Sequence, residues 1–404
     1  MLHYTVKNIF LFFAFSSLLF SSCKQREYSL AVNEELLTYS DSKARLTEKE
    51  AIPNNAAPVV INKGEQIWDT NPVSDWRSGF WPGIEWYLFE NTKDSFWRVA
   101  AEKSTDKLLK VIDTAVSNHD LGFQFYNSYG LGYRLTNNPL YKGILLRAAD
   151  SLATLFNPSV GTILSWPVRG KERGWPHNTI IDNMMNLELL FWASKNGGNA
   201  GLYDLAFKHA EITMKNHFRA DTSTFHVLVY DTITGLPLKK ITHQGYADNS
   251  TWARGQAWAI YGFTLTYRET KHSPFLSTAM GAADLFLKRL PKDYIPYWDF
   301  DDPAIPAAPR DVSAAAIVAS ALFELSTFCT DSVKRNSYFL AATNILNSLS
   351  TSYLSKNKNH AILLSSTGNK PGNKDIDVPI IYADYYFLEA LLRYKKLETS
   401  KIKN

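Results

Sequence analysis

The sequence predicts an all-α fold built from helical hairpins arranged in a ring. Amphipathic stretches of helical period follow one another along the chain, and Gly, Pro and Asn separate them. Strand-like segments are few, and the better candidates are residues 224–230 and 360–365. The 404 residues are enough to bury a large core. Because the chain has neither a doubly wound alternation nor a phosphate-binding glycine motif, a nucleotide-binding α/β fold is excluded.

The predicted helices begin and end at turn-forming residues. In chain order they are 83–91, 96–116, 122–136, 139–155, 180–195, 201–218, 255–270, 274–290, 312–326, 332–349 and 380–397. Several joints before these helices mix aromatic residues with carboxylates, His, Gln or Gly, as around Trp76 and Trp166. This recurrence favours helix N-terminal ends that face one rim, where an aromatic, polar bowl would suit an anionic ligand. On periodicity alone, a solenoid or an irregular bundle stays open.

Composition narrows the possible ligands. The 11 Trp, 21 Tyr and 23 Phe suit flat faces that stack on sugar rings, although core packing explains most aromatic residues in most proteins. The net charge of +4 is spread along the chain without a basic stripe, so we expect no nucleic-acid partner. The His residues are scattered and neither HExxH nor CxxC occurs. We therefore predict neither a metal nor a cofactor.

The N-terminus has the pattern of a targeting segment. Lys7 precedes an apolar run over 9–20, which ends in small residues before Cys23 and is short for a membrane span. This pattern resembles a bacterial lipoprotein signal, in which Cys23 becomes the lipidated first residue. An ordinary secretory signal with an incidental cysteine is the alternative. We expect an exported lipoprotein, periplasmic or outer-membrane anchored, that touches the membrane only through this anchor.

Polar composition and proline residues follow the signal, which indicates a tether before the folded part. The predicted organisation is a signal peptide over 1–22, a tether over 23–58 and one catalytic domain over 59–400.

Asp182 stands out because it lies in the apolar run 180–188. Asp182 and Asn186 are four residues apart, so on a helix their polar groups would share one face. Asp182 is either an N-cap or a catalytic acid, and its local sequence leaves both open.

Five motifs occur in order along the chain. They are SGFWPG at 78–83, HDLGF at 119–123, IDNMMN at 181–186, HQG at 243–245 and STWARGQAW at 250–258. Together they resemble the unsaturated glucuronyl hydrolases, glycosidases that remove the 4,5-unsaturated uronic acid left at a non-reducing end by polysaccharide lyases. The likeness extends from the Trp76 region to about Leu392. It implies a single-domain (α/α)6 barrel with the site in its mouth.

The resemblance implies that Asp182 is the general acid and base, and that Asp120 is the second essential aspartate. The family's substrate is a vinyl ether, and its hydration begins with protonation at C4. This chemistry needs a carboxyl group that is still protonated near neutral pH. A second carboxylate and an apolar lining both raise a carboxyl pKa in that way.

The resemblance also implies a set of substrate-binding residues. They are His119, His226, Gln244, Arg254, Trp258, Trp76, Trp166, Ser365 and Lys370. Arg254 would pair the uronate carboxylate in bidentate fashion, and Trp258, one helical turn later, would offer a stacking face. His119 would either orient Asp120 or contact the sugar. For His226, Trp76 and Trp166, structural hydrogen bonding or core packing is the alternative.

The sequence departs from the family pattern for sulfate recognition. Family members that prefer sulfated substrates tend to carry Ser-x-x-Ser-x-Lys, whereas here Ser365 and Lys370 flank Gly368 in the middle position. Sulfate binding is therefore weakened, not excluded, because backbone N–H groups beside a glycine can also bind anions. Arg169, Lys171 and Arg173 form a small basic loop that either meets a sulfated or acidic neighbouring sugar or is solvated.

We expect an unsaturated uronic-acid oligosaccharide as the substrate, namely a disaccharide product of a glycosaminoglycan lyase. The sequence does not determine the oligomeric state. Two alternatives stay open: a related barrel hydrolase that acts on unsaturated rhamnogalacturonan fragments, and a non-catalytic surface lipoprotein that captures glycans.

Overall fold

A computed structural model describes residues 28–112 and 119–403, and helices dominate these ranges. The α-helices are α1 (Leu30–Thr47), α2 (Phe80–Thr92), α3 (Ser95–Asp106), α4 (Leu131–Thr136), α5 (Pro139–Ala153), α6 (Pro167–Glu172), α7 (Leu187–Lys195), α8 (Gly201–Asn216), α9 (Ala253–Thr270), α10 (Ser273–Arg289), α11 (Val312–Phe328), α12 (Ser332–Ser352) and α13 (Ile381–Lys403). A π-helix spans Gly122–Gly130, and 3-10 helices span Trp76–Gly79, Lys107–Val111 and Ile181–Asn186.

The strands are short and form small antiparallel sheets between helices. They are β1 (Ala56–Val60), β2 (Asp69–Pro72), β3 (Phe156–Asn157), β4 (Thr162–Ile163), β5 (His177–Ile180), β6 (Val227–Tyr230), β7 (Pro237–Ile241), β8 (Ser366–Asn369) and β9 (Lys374–Val378). The pairs are β1 with β2, β3 with β4 and β8 with β9, and β6 lies between β5 and β7.

Six helical segments form a closed inner ring. Each of α2, the π-helix, α7, α9, α11 and α13 contacts the next, and α13 contacts α2. An outer layer of α3, α5, α8, α10, α12 and α1 packs against these inner segments, one to each. The inner helices are apolar on nearly all sides, as in α11, where every residue from Val312 to Phe323 is buried. The predicted (α/α)6 barrel is confirmed.

The connectivity of the hairpins gives the inner helices a common direction. Each inner segment from α2 to α11 is followed by an outer helix that runs back, so the next inner segment starts at the same end of the barrel. The N-terminal ends of the inner segments therefore share one rim. Asp120, Asp182 and Arg254 all lie at or just before such an end.

The prediction of a tether over 23–58 is wrong for its described part. Residues 30–47 form α1, which packs against α13, and Ala56–Val60 forms the buried strand β1. Val32, Leu36 and Leu37 lie on a buried face of α1 at helical spacing, and Asn33 and Ser40 are buried with them. The folded unit thus begins before residue 59, because α1 supplies the outer helix that pairs with α13. The predicted signal and Cys23 lie outside the described residues.

Some predicted boundaries also shift. The helix predicted from residue 180 begins as β5 and continues as the 3-10 helix before α7, because Ile180 pairs with Val227 across the sheet. The strand predicted over 360–365 is instead β8, immediately afterwards. Within the described ranges, no helix combines the length and apolarity needed to cross a bilayer.

A polar network ties the inner helices together near the end opposite the rim. Glu389 of α13 accepts hydrogen bonds from Tyr87 of α2 at 2.8 Å and from Tyr261 of α9 at 2.9 Å. Arg268 of α9 pairs with Glu324 of α11 at 2.8 Å. Because these partners lie on different helices, the network fixes the ring at one end while the other end stays open.

We expect Leu37→Ala to lower the free energy of unfolding by roughly 2–5 kcal/mol, because Leu37 is 1% exposed and its loss would leave a cavity between α1 and the barrel. Denaturant unfolding of the protein measures the change. Thr38→Ala, at the exposed neighbouring position, is the matched control and should change stability by less than about 0.5 kcal/mol. Equal stability of both variants would mean that α1 does not belong to the folded barrel.

Candidate active site

A cavity of about 260 Å³ opens at the rim where the inner segments begin. Its walls are Trp76, Arg77, Asp120, Phe123, Trp166, Arg169, Ile180, Asp182, His243, Gln244, Arg254, Gly368, Asn369, Lys374, Asp375 and Tyr382. Both predicted catalytic aspartates are in this set, together with Gln244, Arg254, Trp76 and Trp166. Their roles in catalysis and binding remain predictions.

Asp182 lies in the 3-10 helix between β5 and α7, and its side chain is 13% exposed. The backbone N–H of Ile181 donates to the carbonyl of His226 at 3.0 Å, which fixes this segment to the end of β6. Burial raises the pKa of Asp182 to about 7; the nearby Arg254 lowers it and the charge of Asp120 raises it further. An apolar environment therefore makes the larger contribution to keeping this carboxyl group protonated, and the second carboxylate a smaller one.

Asp120 immediately precedes the π-helix, and its pKa is also raised to about 7, chiefly by burial. A hydrogen bond with Asn186 lowers this pKa and the charge of Asp75 raises it. Nε2 of His119 lies 3.4 Å from Oδ1 of Asp120, and His119 is fully buried outside the cavity wall. Of the two roles predicted for His119, the geometry supports orienting Asp120.

Asn186 joins the segments that carry the two aspartates. Its Oδ1 accepts the backbone N–H of Phe123 at 3.0 Å. Gly122 makes this approach possible, since a Cβ there would lie 2.5 Å from the Cα of Asn186. The close contact places the start of the π-helix beside the 3-10 helix of Asp182.

His226 is buried, and its hydrogen bonds determine its tautomer. Nδ1 accepts the backbone N–H groups of His243 at 3.2 Å and Gln244 at 3.1 Å, so it carries a lone pair and not a proton. Burial, with a further contribution from the charge of Arg254, holds the pKa of His226 well below its usual range. The neutral ring therefore carries its proton on Nε2, which lies 3.7 Å from Oδ2 of Asp182. The Nε2 atom of His226 thus lies near the Asp182 carboxyl group, although His226 itself does not line the cavity.

The stacking role predicted for Trp258 is wrong. Its ring is fully buried and packs against Phe123 at 5.2 Å and Tyr386 at 5.5 Å between centroids. Because neighbouring rings cover it, no face is open to a sugar. Its indole N–H instead lies near Asp182 and lowers the pKa of that carboxyl group, although the two do not reach normal hydrogen-bond geometry.

The bidentate pairing predicted for Arg254 stays a prediction, because residues of the protein already occupy part of its guanidinium. Nη1 donates to Asp311 at 2.6 Å and to the carbonyl of Thr367 at 2.5 Å, while Nη2 donates to the carbonyl of Gly368 at 2.5 Å. Arg254 lines the cavity, but its fork already holds α9 to α11 and β8. Its charge still lowers the pKa of Asp182.

Trp76 and Trp166 lie on the cavity wall and are partly exposed, as a stacking platform requires. Trp76 stacks against Tyr382 with centroids 5.3 Å apart. The backbone N–H of Trp166 donates to Asn178 of β5 at 3.1 Å. Sheet contacts thus hold Trp166 in place, and an aromatic ring holds Trp76.

Gln244 also lines the cavity, and its Nε2 donates to the carbonyl of Gly368 at 3.0 Å.

Ser365 and Lys370 are not among the residues that line the cavity, and their role in substrate binding stays a prediction. Ser365 precedes β8 in a left-handed conformation, with φ of 62°, and its carbonyl accepts the N–H of Val312. Lys370 pairs with Asp302 at 3.3 Å. The β8–β9 hairpin brings Gly368, Asn369 and Lys374 to the wall instead.

Sequence reasoning missed other parts of the wall. Arg77, Asn369, Lys374, Asp375 and Tyr382 were not singled out. Arg77 lies just before a recognised motif, while Lys374 and Asp375 lie on β9, whose pairing with β8 no sequence pattern indicated. Phe123 and His243 were inside recognised motifs without an assigned role. In the described part of the chain, no cluster of three or more His, Cys, Asp or Glu could hold a metal ion.

A helical barrel whose mouth holds two carboxyl groups, each with a pKa near neutrality, is an enzyme site equipped for proton transfer. The profile of Glycosyl Hydrolase Family 88 matches residues 45–324. The chain therefore belongs to Glycosyl Hydrolase Family 88 and is a glycosidase.

Individual relatives agree with this family. The chain is 46% identical over 347 residues to the unsaturated glucuronyl hydrolase of Formosa agariphila, covering 84% of this chain and 83% of that protein. It is 34% identical over 330 residues to the unsaturated chondroitin disaccharide hydrolase of Streptococcus pyogenes serotype M1, covering 80% of this chain and 82% of that protein. The crystal structure of an unsaturated glucuronyl hydrolase specific for heparin matches with a TM-score of 0.84 at 39% identity, covering 92% and 97% of the two chains. The predicted enzyme class, an unsaturated glucuronyl hydrolase, is confirmed.

We expect Asp182→Asn to stabilise the protein increasingly as the pH rises from about 4 to 7. The pKa of Asp182 rises from 3.8 to about 7 on folding, so the folded state binds a proton more tightly than the unfolded state. Ionisation of Asp182 therefore lowers the free energy of unfolding, and the size of the pKa shift corresponds to up to a few kcal/mol. Because Asn cannot ionise, the variant does not lose this stability. Denaturant unfolding at several pH values measures the difference.

Asp204→Asn, on the exposed surface of α8, is the control and should show no such trend. A stability gain in Asp182→Asn that shrinks as the pH rises would contradict the raised pKa.

Proposed function

We propose that this glycosidase removes the 4,5-unsaturated uronic acid from the non-reducing end of lyase-generated oligosaccharides. The observation that carries the proposal is the buried Asp182, whose pKa of about 7 leaves a large protonated fraction at neutral pH inside a sugar-sized, aromatic cavity. Protonating an electron-rich double bond needs an acid of this kind. The names of the family relatives support the same reaction.

The proposed reaction is a hydration. Asp182 gives its proton to C4 of the C4=C5 vinyl ether, which leaves an oxocarbenium ion at C5. Water then adds at C5, and the Asp182 carboxylate takes a proton from it. The resulting hemiketal opens and expels the remaining sugar. One residue thus serves first as the acid and then as the base.

Asp120 supports this acid in two ways. Its negative charge raises the pKa of Asp182, and its carboxyl group lies on the same cavity wall, where it can hold sugar hydroxyl groups. The neutral His226 directs its Nε2 proton toward Oδ2 of Asp182. The ionised state of Asp182 that follows proton transfer would gain a hydrogen bond from this imidazole.

The substrates we propose are glycosaminoglycan disaccharides that begin with an unsaturated uronic acid. One relative is named for a chondroitin disaccharide and one solved structure for specificity toward heparin. Lys370 pairs with Asp302 at 3.3 Å, so a sulfate at that subsite would compete with this carboxylate for the ammonium group. Trp76 and Trp166 would provide the stacking surfaces for the sugar rings.

We also propose that the protein is exported as a lipoprotein through Cys23, in the periplasm or on the outer membrane. The charged, apolar and small-residue pattern of 1–23 supports this. Metabolic labelling with a palmitate analogue, compared between the natural chain and Cys23→Ser, tests it. Equal labelling of the two chains would refute the anchor.

We expect turnover of unsaturated glycosaminoglycan disaccharides, seen as loss of the ultraviolet absorbance of the conjugated double bond. A panel of chondroitin, hyaluronan and heparin disaccharides, with and without sulfate, measures the preference. An unsaturated rhamnogalacturonan disaccharide is the comparison substrate. Faster turnover of that compound would favour the rhamnogalacturonyl activity, and binding without turnover of any of them would favour a capture protein.

We expect Asp182→Asn to lower kcat by roughly 100- to 10,000-fold, because the amide can neither donate the catalytic proton nor accept one from water. The same absorbance assay measures the change, and Asp204→Asn controls for the substitution itself. Near-native turnover by a folded Asp182→Asn variant would rule out Asp182 as the acid.

A further inference from the structure

Arg169 lies in the short helix α6, and its side chain lines the cavity. Nη1 donates to Nε2 of His243 at 2.7 Å. The guanidinium carbon lies 4.8 Å from the centre of the Trp166 ring. An aromatic face and an imidazole therefore hold this cation from two directions, which limits the rotamers that so long a side chain could adopt.

The other arginines of the cavity are neutralised by carboxylates. Arg77 pairs with Asp75 at 2.9 Å and with Asp375 at 3.1 Å. Arg254 pairs with Asp311 at 2.6 Å. Their charges are thus compensated within the protein, and most of their donors are occupied.

Arg169 differs because its one short polar contact in the described part of the chain is to a neutral ring. The carboxylate that influences it most, Glu172, is exposed and forms no ion pair with it at 4.0 Å or less. His243 does not repel it: Nε2 accepts the hydrogen bond, and burial and the charge of Arg169 keep the pKa of this imidazole at about 4. Arg169 therefore has a guanidinium with donors to spare beside a cavity, and a partly buried cation without a counter-ion is unfavourable.

We propose that Arg169 binds the anionic group of the substrate, a carboxylate or a sulfate of an acidic disaccharide, and so determines specificity for acidic sugars. The proposal rests on the proposed function and deepens it. It adds Arg169 to Arg254 as a candidate anion-binding group, and the two differ because the charge of Arg254 is already paired with Asp311. Trp166 lies under the guanidinium and at the same wall, so an anion bound there would belong to a sugar that contacts this indole.

The test measures binding and turnover separately. Arg169→Gln removes the charge but keeps an amide that can donate to His243, and Arg169→Lys keeps the charge without the planar fork. The matched control is Arg173→Gln, since the Arg173 side chain is exposed and lies over Trp175, outside the cavity wall. Affinity is measured by calorimetry in chains that also carry Asp182→Asn, and kcat and KM are measured in the otherwise natural chain.

Three probes distinguish the possible anions. They are an unsulfated unsaturated chondroitin disaccharide, the same disaccharide with its uronate carboxylate converted to the methyl ester, and the disaccharide with a sulfate on its hexosamine. We expect Arg169→Gln to weaken affinity for the unsulfated acid by roughly 10- to 100-fold, as for loss of a charge-assisted hydrogen bond. The methyl ester should bind equally to the parent and to Arg169→Gln.

In the kinetic measurement, KM should rise with little change in kcat, Arg169→Lys should recover part of the loss, and Arg173→Gln should stay within about twofold of the parent. A loss confined to the sulfated probe would identify the sulfate as the bound anion and also supports the proposal. Equal affinity of Arg169→Gln and the parent for all three probes would overturn it. So would an equal loss for all three, since that would mean that Arg169 only shapes the site.

Failure of the proposed function has a different signature. If the natural chain turned over none of the unsaturated probes while Arg169→Gln still lost affinity for the acids alone, the anion site would stand and the hydrolase assignment would fall. Thermal unfolding midpoints of all variants confirm that each chain is folded.

Discussion

The burial of one carboxyl group in the mouth of the barrel is the constraint on which the site depends. Asp182 is useful as an acid only if water and cations do not stabilise its ionised form, and burial is the largest cause of its raised pKa. The segment that carries it is fixed on one side by the β5–β6 pairing and on the other by α7. A position that is unfavourable for an ionised side chain is thus maintained by the rest of the fold.

The barrel provides this environment through its connectivity. Because all inner segments run in one direction, the residues just before them gather at one rim, although they are far apart in sequence. Asp120 and Asp182 come from consecutive hairpins, and the contact between Gly122 and Asn186 sets how closely those hairpins approach. Farther along the inner helices, Glu389 joins α13 to α2 and α9, and Arg268 joins α9 to α11.

Charge compensation separates structural from ligand-binding groups at the rim. Arg77 and Arg254 hold loops and helices together through carboxylates of the protein, and their loss would leave buried partners without a counter-ion. The neutral imidazole of His226 carries its proton toward Asp182 because two backbone N–H groups occupy its other nitrogen. Arg169 differs from these two arginines because it is oriented by a hydrogen bond to the neutral His243 and not by a carboxylate. Chemical type alone does not distinguish these three arginines, since only their partners differ.

The sequence by itself determined the helical class, most helix positions and the motifs that contain Asp120 and Asp182. Local periodicity and ordered motifs carry that information, because helical contacts lie within a few residues of one another. Only the tertiary structure decided that α1 closes the ring against α13, that Trp258 is covered by Phe123 and Tyr386, and that Arg254 is bound by Asp311 and β8. Each of these outcomes depends on a partner that is far away in the chain. No local pattern of residues encodes which distant group will contact a given side chain.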